Sequence, residues 1–134
     1  MTTTFLRLLL LTGALVPFGC HTAPTSPSST TSNLNHVVLI SLDDPTEAES
    51  CAEDCRTMLA AIPSVHTLWV GTPVDTGRAA VDDAYEVGLC VGFQTREDLQ
   101  AYLEAPEHVR LVEIWGPKAS GFRIFDVGKP GLDR

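Results

Sequence analysis

Hydrophobic and polar positions along the chain form patterns that predict six elements of secondary structure. Short runs rich in β-branched and aromatic residues are typical of strands, and four of them cover residues 36–42, 65–72, 84–93 and 121–127. Two longer segments carry apolar residues at helical spacing, and they cover residues 45–62 and 95–116. The predicted order is therefore β-α-β-β-α-β.

Local signals define the ends of the two helical segments. Pro45 stands at the first helical position of one segment, and Pro63 ends it. Thr95 and Asp98 have the spacing of a capping box at the start of the other. Pro106 is expected to interrupt this second segment and to begin a new helical piece.

The element order predicts an α+β fold of the ferredoxin-like kind. Two β-α-β units separated by a hairpin give a four-stranded antiparallel sheet with both helices on one face. The first and third strands are apolar on both faces, and Gly88 and Gly92 in the third indicate close approach of other groups. Because helices cover only one face, the sequence predicts a homodimer through the other face.

The N-terminal segment has the layout of a secretory signal. Arg7 precedes an apolar run, residues 8–18, that is too short to span a bilayer. The run ends at Gly19-Cys20, which resembles the end of a bacterial lipoprotein signal, where the cysteine is acylated and becomes the mature N-terminus. An ordinary signal peptide or an uncleaved anchor is the alternative.

The remaining sequence follows this signal in three parts. Residues 20–34 are rich in Ser, Thr and Pro and are expected to form a flexible linker. Residues 35–128 form the predicted domain, and residues 129–134 form a polar tail. With the signal at residues 1–19, this organisation predicts an extracytoplasmic protein attached to a membrane through lipidated Cys20.

Net charge excludes one class of partner. The chain has 9 Lys and Arg against 17 Asp and Glu, a formal charge of −8, and removal of Arg7 with the signal leaves −9. An acidic domain without a basic patch argues against binding nucleic acid, and against binding anionic lipid by charge.

Three cysteines follow Cys20. Cys51 and Cys55 lie four residues apart on the first predicted helix, and Cys90 lies in the third strand. They are either small buried side chains or partners in a disulfide, and a bridge from the helix to Cys90 is one option. Paired Cys-x-x-Cys and His motifs, nucleophile elbows and phosphate-binding loops do not occur, so no metal site and no cofactor are predicted.

Four segments taken together resemble the stress-responsive A/B-barrel domain (Dabb) family. They are "NHVVLISL", "AIPSVHTLWVG", "DAYEVGLCVGFQTREDLQAYLEAPEHV" and "RIFDV", and the resemblance covers residues 35–127. It implies a ferredoxin-like subunit, a dimer whose two sheets close into an α+β barrel, and a stress-related role.

The resemblance also indicates candidate site residues. A plant polyketide cyclase of this fold uses a tyrosine and a histidine that align with Tyr102 and His108. The family helix commonly reads Tyr-x-x-His-Pro-x-His, and Ala105 replaces the first histidine in this chain. His36 matches the histidine that commonly opens the first strand.

Tyr102 and His108 are chemically suited to act together. A histidine accepts a proton near neutral pH, and a tyrosine hydroxyl can donate a hydrogen bond to a carbonyl or enolate oxygen. The alternative is structural, with Tyr102 in the core and His108 bracing the turn after Pro106.

Three other residues, His36, Trp69 and Tyr85, are the predicted ligand-binding residues, and Trp115 is a further candidate for a cavity wall. The leading hypothesis is a lipid-anchored dimer that binds a small apolar ligand in a cleft. The alternatives are a cyclase-like or cofactor-independent oxygenase-like enzyme that uses Tyr102 and His108, or a structural envelope protein without a ligand.

Overall fold

The structure is a computed structural model that describes residues 31–132. The predicted signal, Cys20 and most of the predicted linker lie outside the described residues. Four strands are present, namely β1 (Leu34–Leu42), β2 (Thr67–Gly71), β3 (Val87–Phe93) and β4 (Ala119–Gly128). The α-helices are α1 (Ala48–Ala60), α2 (Arg96–Glu104) and α3 (Pro106–Trp115), and short 3-10 turns precede α1 and follow α3.

The strands form one antiparallel sheet in the order β2-β3-β1-β4, with the helices on one face. This confirms the predicted ferredoxin-like fold. β1 lies in the centre, where Val38 pairs with Leu89 on one side and with Ile124 on the other.

The core lies between the helices and the face of the sheet that they cover. Every second residue of β1, from Leu34 to Leu42, is buried on this face. The bulky residues of β3 are buried against it as well, as are Cys51, Cys55 and Leu59 of α1. Burying a Val or Leu side chain contributes about 1.5–3 kcal/mol, so this layer is the main source of stability.

The opposite side of the sheet, here called the open face, carries no helix of the described residues. Its residues are Asn35, Val37, Leu39 and Ser41 of β1, Gly88, Cys90 and Gly92 of β3, Thr67, Trp69 and Gly71 of β2, and Gly121, Arg123, Phe125 and Val127 of β4. Trp69 is 61% exposed and Phe125 51% exposed. Large apolar side chains therefore remain uncovered on this face, but they come from β2 and β4 and not from the first and third strands on which the prediction rested.

β3 begins at Val87, three residues later than the alternation of side chains predicted. The carboxylate of Asp82 accepts a hydrogen bond from the Ala84 amide at 3.0 Å, and the Asp83 carbonyl accepts one from the Tyr85 amide at 2.8 Å. These bonds form a turn, so Tyr85 does not share a face with Val87.

Two glycines of β3 allow close approach on the open face, as predicted. A Cβ at Gly88 would lie 3.2 Å from the Tyr85 ring, and a Cβ at Gly92 would overlap the Ser32 hydroxyl. Gly88 thus leaves room for an aromatic ring, and Gly92 for the segment that precedes β1.

The cysteines are free thiols among the described residues. Cys51 and Cys55 are buried between α1 and the sheet, whereas Cys90 lies on the open face. Because the sheet separates them, the structure excludes a bridge from the helix to Cys90. Residues 31–132 contain no cluster of three potential metal-ligating side chains. Over the same range, no helix has the length and apolarity needed to cross a membrane.

Candidate functional site

A cleft of about 90 Å³ lies between α3 and the helix-covered face of β1 and β4. Its walls are mainly apolar, with Val38 and Leu89 from the sheet, Leu111 from α3, and Phe122 from β4. The volume is several times the roughly 10–15 Å³ that a cavity needs to hold one water molecule. The cleft is therefore large enough to accept part of a small organic molecule.

Three polar side chains line one part of this cleft, and they come from three different elements. Tyr102 of α2 and His108 of α3 have ring centroids 4.6 Å apart. The ring of His36 of β1 lies 5.8 Å from that of Tyr102. The structure thus brings together both predicted catalytic residues and one of the three predicted ligand-binding residues.

The break between α2 and α3 is what places Tyr102 beside His108. In one continuous helix, residues six positions apart would lie about 9 Å apart along the axis and about 120° apart around it. Ala105 instead adopts an extended conformation and Pro106 begins a new helix, which redirects the chain. The capping box also forms as predicted, because Thr95 and Asp98 exchange hydrogen bonds of 3.0 and 3.1 Å.

The local contacts of His108 fix which ring nitrogen is available. Its Nδ1 lies 3.2 Å from the Leu103 carbonyl oxygen, which only accepts, so Nδ1 donates and Nε2 of the neutral ring is left as an acceptor. Burial lowers the pKa of His108 below its ordinary value, the Leu103 hydrogen bond opposes this, and His36 lowers it further. His108 is therefore neutral at pH 7.

Tyr102, in contrast to His108, presents a hydrogen-bond donor to the cleft. Its side chain is only 2% exposed, and burial, with a smaller contribution from Cys55, raises the pKa of its hydroxyl well above the usual range. The hydroxyl stays protonated at pH 7 and can donate. No hydrogen bond to this hydroxyl contributes to its pKa, and it forms none with residues 31–132. The hydroxyl is not fully enclosed, so it can donate a hydrogen bond to an acceptor on a ligand in the cleft.

Asp126 belongs to this site and was not predicted. Its Oδ1 lies 2.7 Å from Nδ1 of His36, its partner across β1 and β4. Because the carboxylate accepts, Nδ1 of His36 is the donor, and this fixes the orientation of the imidazole. An acidic residue inside an otherwise apolar strand was a signal in the sequence that Asp126 has a special role. Its partner His36 is 90 positions away, so no local pattern could identify the pair.

Trp115 forms an aromatic wall of the cleft. Its Nε1 donates to Asp54 at 2.9 Å, and the ammonium of Lys118 lies 4.6 Å from the centre of its ring. By contrast, Trp69 and Tyr85 lie on the open face and do not line the cleft. The two predicted ligand-binding residues on that face are thus separated by the sheet from the other three candidates.

The fold and the cleft define a ferredoxin-like α+β protein with a mainly apolar cleft and a tyrosine–histidine pair. The chain belongs to the stress responsive A/B barrel domain (Dabb) family, whose model matches residues 34–128. No curated protein sequence matches the chain.

Three solved structures illustrate how far the likeness extends. A Dabb family protein from Mesorhizobium loti has 22% identity and a TM-score of 0.62, with 73% of this chain and 97% of that chain covered. A protein from Thermobifida fusca, described as dimeric and ferredoxin-like, has 18% identity and a TM-score of 0.61, with coverage of 74% and 92%. Hydroxynitrile lyase from Passiflora edulis has 11% identity and a TM-score of 0.62, with coverage of 73% and 94%. At such identities the likeness shows the fold alone.

Proposed function

We propose that this chain is a homodimeric binding protein whose cleft takes a small, largely apolar compound carrying one polar group. The observation that carries this proposal is the Tyr102 hydroxyl, which stays protonated, lines the cleft and forms no hydrogen bond with the described residues, although the side chain as a whole is 2% exposed. Beside it stands neutral His108 with an available acceptor nitrogen. Apart from these groups and His36, the cleft is mainly apolar.

The chemistry of the cleft defines the kind of compound. Tyr102 donates a hydrogen bond and His108 accepts one, so a hydroxyl group on the ligand satisfies both. His108 and Trp115 lie two turns apart on α3, a rise of about 10 Å. The polar group of the ligand would bind at His108, and its apolar body would extend towards the Trp115 ring.

The homodimer would form through the open face. Trp69, Phe125 and Val127 are exposed there in a single subunit, and solved proteins of this fold are described as dimeric. Contiguous apolar surface of this kind is typical of an interface.

The domain would be held at a membrane, outside the cytoplasm, by a lipid on Cys20. Metabolic labelling with a palmitate analogue should therefore mark the wild-type chain and should not mark Cys20→Ala. Cys90→Ala is the matched control and should be labelled as strongly as the wild type. Persistent labelling of Cys20→Ala would contradict the anchor.

Ligand binding can be tested with two compounds that differ by one hydroxyl group, 4-propylphenol and propylbenzene. A compound that binds only the folded state raises the melting temperature, so 4-propylphenol should raise it more than propylbenzene does. The double variant Tyr102→Phe/His108→Ala should lose this preference for the phenol, because it lacks both hydrogen-bonding groups.

The matched control is Tyr85→Phe/His66→Ala, which removes the same two kinds of group away from the cleft. It should keep the wild-type response. If neither compound binds, and Tyr102→Phe/His108→Ala only lowers the melting temperature, then Tyr102 and His108 serve packing. That result would favour a structural envelope protein.

A second candidate is an enzyme of the cyclase-like or cofactor-independent oxygenase-like kind. The observation that favours it is the pairing of a protonated donor, Tyr102, with a neutral acceptor, His108. His108 would take a proton from the carbon beside a carbonyl, while Tyr102 donates a hydrogen bond to the enolate oxygen. Mass spectrometry of carbonyl compounds recovered after incubation separates the two, since a binding protein returns them unchanged.

A further inference from the structure

The mouth of the cleft exposes apolar side chains that lie on the opposite side of the sheet from the open face. Phe122 is 46% exposed and Ile124 56% exposed. Both belong to β4 and line the cleft, and both lie on the helix-covered face rather than on the open face. Stacking two open faces would leave them in water unless another part of the partner reaches them.

The opposite edge of the sheet is formed by β2. Val74, which follows this strand in the chain, is 70% exposed. Neither β2 nor β4 has a second strand neighbour among the described residues. Unpaired apolar edges of this kind are prone to pair with another chain. Within one subunit the edges are three strand spacings apart, about 14 Å, so β2 cannot pair with β4 of its own chain.

A twofold axis parallel to the strands would bring these edges together. Rotation about such an axis exchanges left and right when the open faces meet, so β2 of each subunit comes to lie opposite β4 of the other. Curvature of the two sheets towards each other would then reduce the stacking distance of about 10 Å at these edges to the spacing of paired strands, about 4.8 Å. β2 is antiparallel to β3, β3 to β1, and β1 to β4, so β2 and β4 run in opposite directions. Each β2 would meet the partner's β4 as an antiparallel pair and could share its hydrogen bonds.

Such an axis also leaves each residue at the same height along the strand direction. A row of residues paired across neighbouring strands would therefore continue into the sheet of the partner subunit. Val70 is in the same row as Ile124, through the pairs of Val70 with Leu89, Leu89 with Val38, and Val38 with Ile124. These residues lie on the helix-covered face. Val70 of the partner subunit would thus lie beside Ile124, and Val74 of the partner subunit would lie towards Phe122.

We propose that the second copy completes the binding cleft, with residues 68–74 of the partner subunit closing its mouth against Phe122 and Ile124. This builds on the proposed dimeric binding protein and adds a specific point: each ligand site contains residues of both subunits. An isolated subunit would have an open, solvent-exposed cleft.

The geometry can be tested without any ligand. Two full-length chains, each carrying Cys20→Ser and Cys90→Ser, would bear Val70→Cys in one and Ile124→Cys in the other. Cys51 and Cys55 are buried and remain as an internal control. A short bis-maleimide should join the mixed chains into a covalent dimer, and either chain alone should give little product. A mixture that does not cross-link would overturn the proposal.

Subunit exchange tests the contribution to binding. Val74→Asp places a charge at the proposed closure and should weaken the binding of 4-propylphenol about tenfold or more. Val109→Asp, on an exposed part of α3 that does not line the cleft, is the control and should bind as the wild type does. Wild-type affinity in Val74→Asp would overturn the proposal.

Mixing Val74→Asp with Tyr102→Phe/His108→Ala gives the decisive result. In a mixed dimer, the Val74→Asp chain keeps an intact Tyr102 and His108 in its cleft. The Tyr102→Phe/His108→Ala chain supplies the intact Val74 that closes this cleft. Random exchange makes half of the dimers mixed, each with one complete site, so bound probe per chain should return to about a quarter of the wild-type value. No recovery would mean that Val74 acts within its own chain, and the proposal would fail. If the wild type does not bind the probe, the proposed function fails, and cross-linking still decides the geometry.

Discussion

At the scale of single residues, one physical effect sets the protonation of both Tyr102 and His108. Removal from water disfavours the charged form of any group. It therefore lowers the pKa of His108, whose charged form is the protonated one, and raises the pKa of Tyr102, whose charged form is the deprotonated one. Both groups are neutral at pH 7 as a result, one as an acceptor and one as a donor.

The lowered pKa of His108 predicts how stability depends on pH. Between that value and the ordinary value of about 6.5, the unfolded chain binds more protons than the folded chain, so the free energy of unfolding falls as pH falls. In urea denaturation between pH 7.5 and 5.5, the free energy of unfolding of His108→Gln should fall less steeply than that of the wild type. The two slopes should differ by less than about 1.4 kcal/mol per pH unit, the value for one proton. His66→Gln, at an exposed histidine, should follow the wild type. Equal slopes for wild type and His108→Gln would contradict the burial argument.

At the scale of elements, the sequence was most informative where structure depends on neighbouring residues. The capping box of Thr95 and Asp98 and the helix start at Pro106 formed as predicted, because both depend on contacts within four positions. Because Pro106 separates α2 from α3, it also determines where His108 lies. The local pattern thus located the break, but not the ring separation of 4.6 Å that results from it.

Elements that depend on distant contacts were predicted less well. Tyr85 continues the alternation of β3 in the sequence, but the Asp82 and Asp83 hydrogen bonds turn the chain before the strand begins. Asp126 reaches His36 only through the register of β1 with β4, which no local pattern encodes. The sequence predicted that helices cover one face of the sheet. It did not predict which candidate residues lie on that face and which lie on the open face.

At the scale of the whole molecule, the open face is the feature that a second copy would have to cover. Phe125 is half exposed in a single subunit, so Phe125→Glu should cost little in an isolated subunit. In a dimer through the open face, the same change would bury an unpaired carboxylate in an apolar layer, a cost of several kcal/mol. We therefore expect Phe125→Glu to be a folded monomer at micromolar concentration, where the wild type is a dimer.

Sedimentation velocity and circular dichroism together check this expectation. Val109→Glu is the matched control, because Val109 is 46% exposed, close to the 51% of Phe125, but lies on α3 and away from the open face. It should sediment as the wild type does. A Phe125→Glu chain that remains dimeric would move the interface to another surface, and a wild type that is a stable, folded monomer would remove the need for one. In either case, nothing would bring β2 of a partner to the mouth of the cleft.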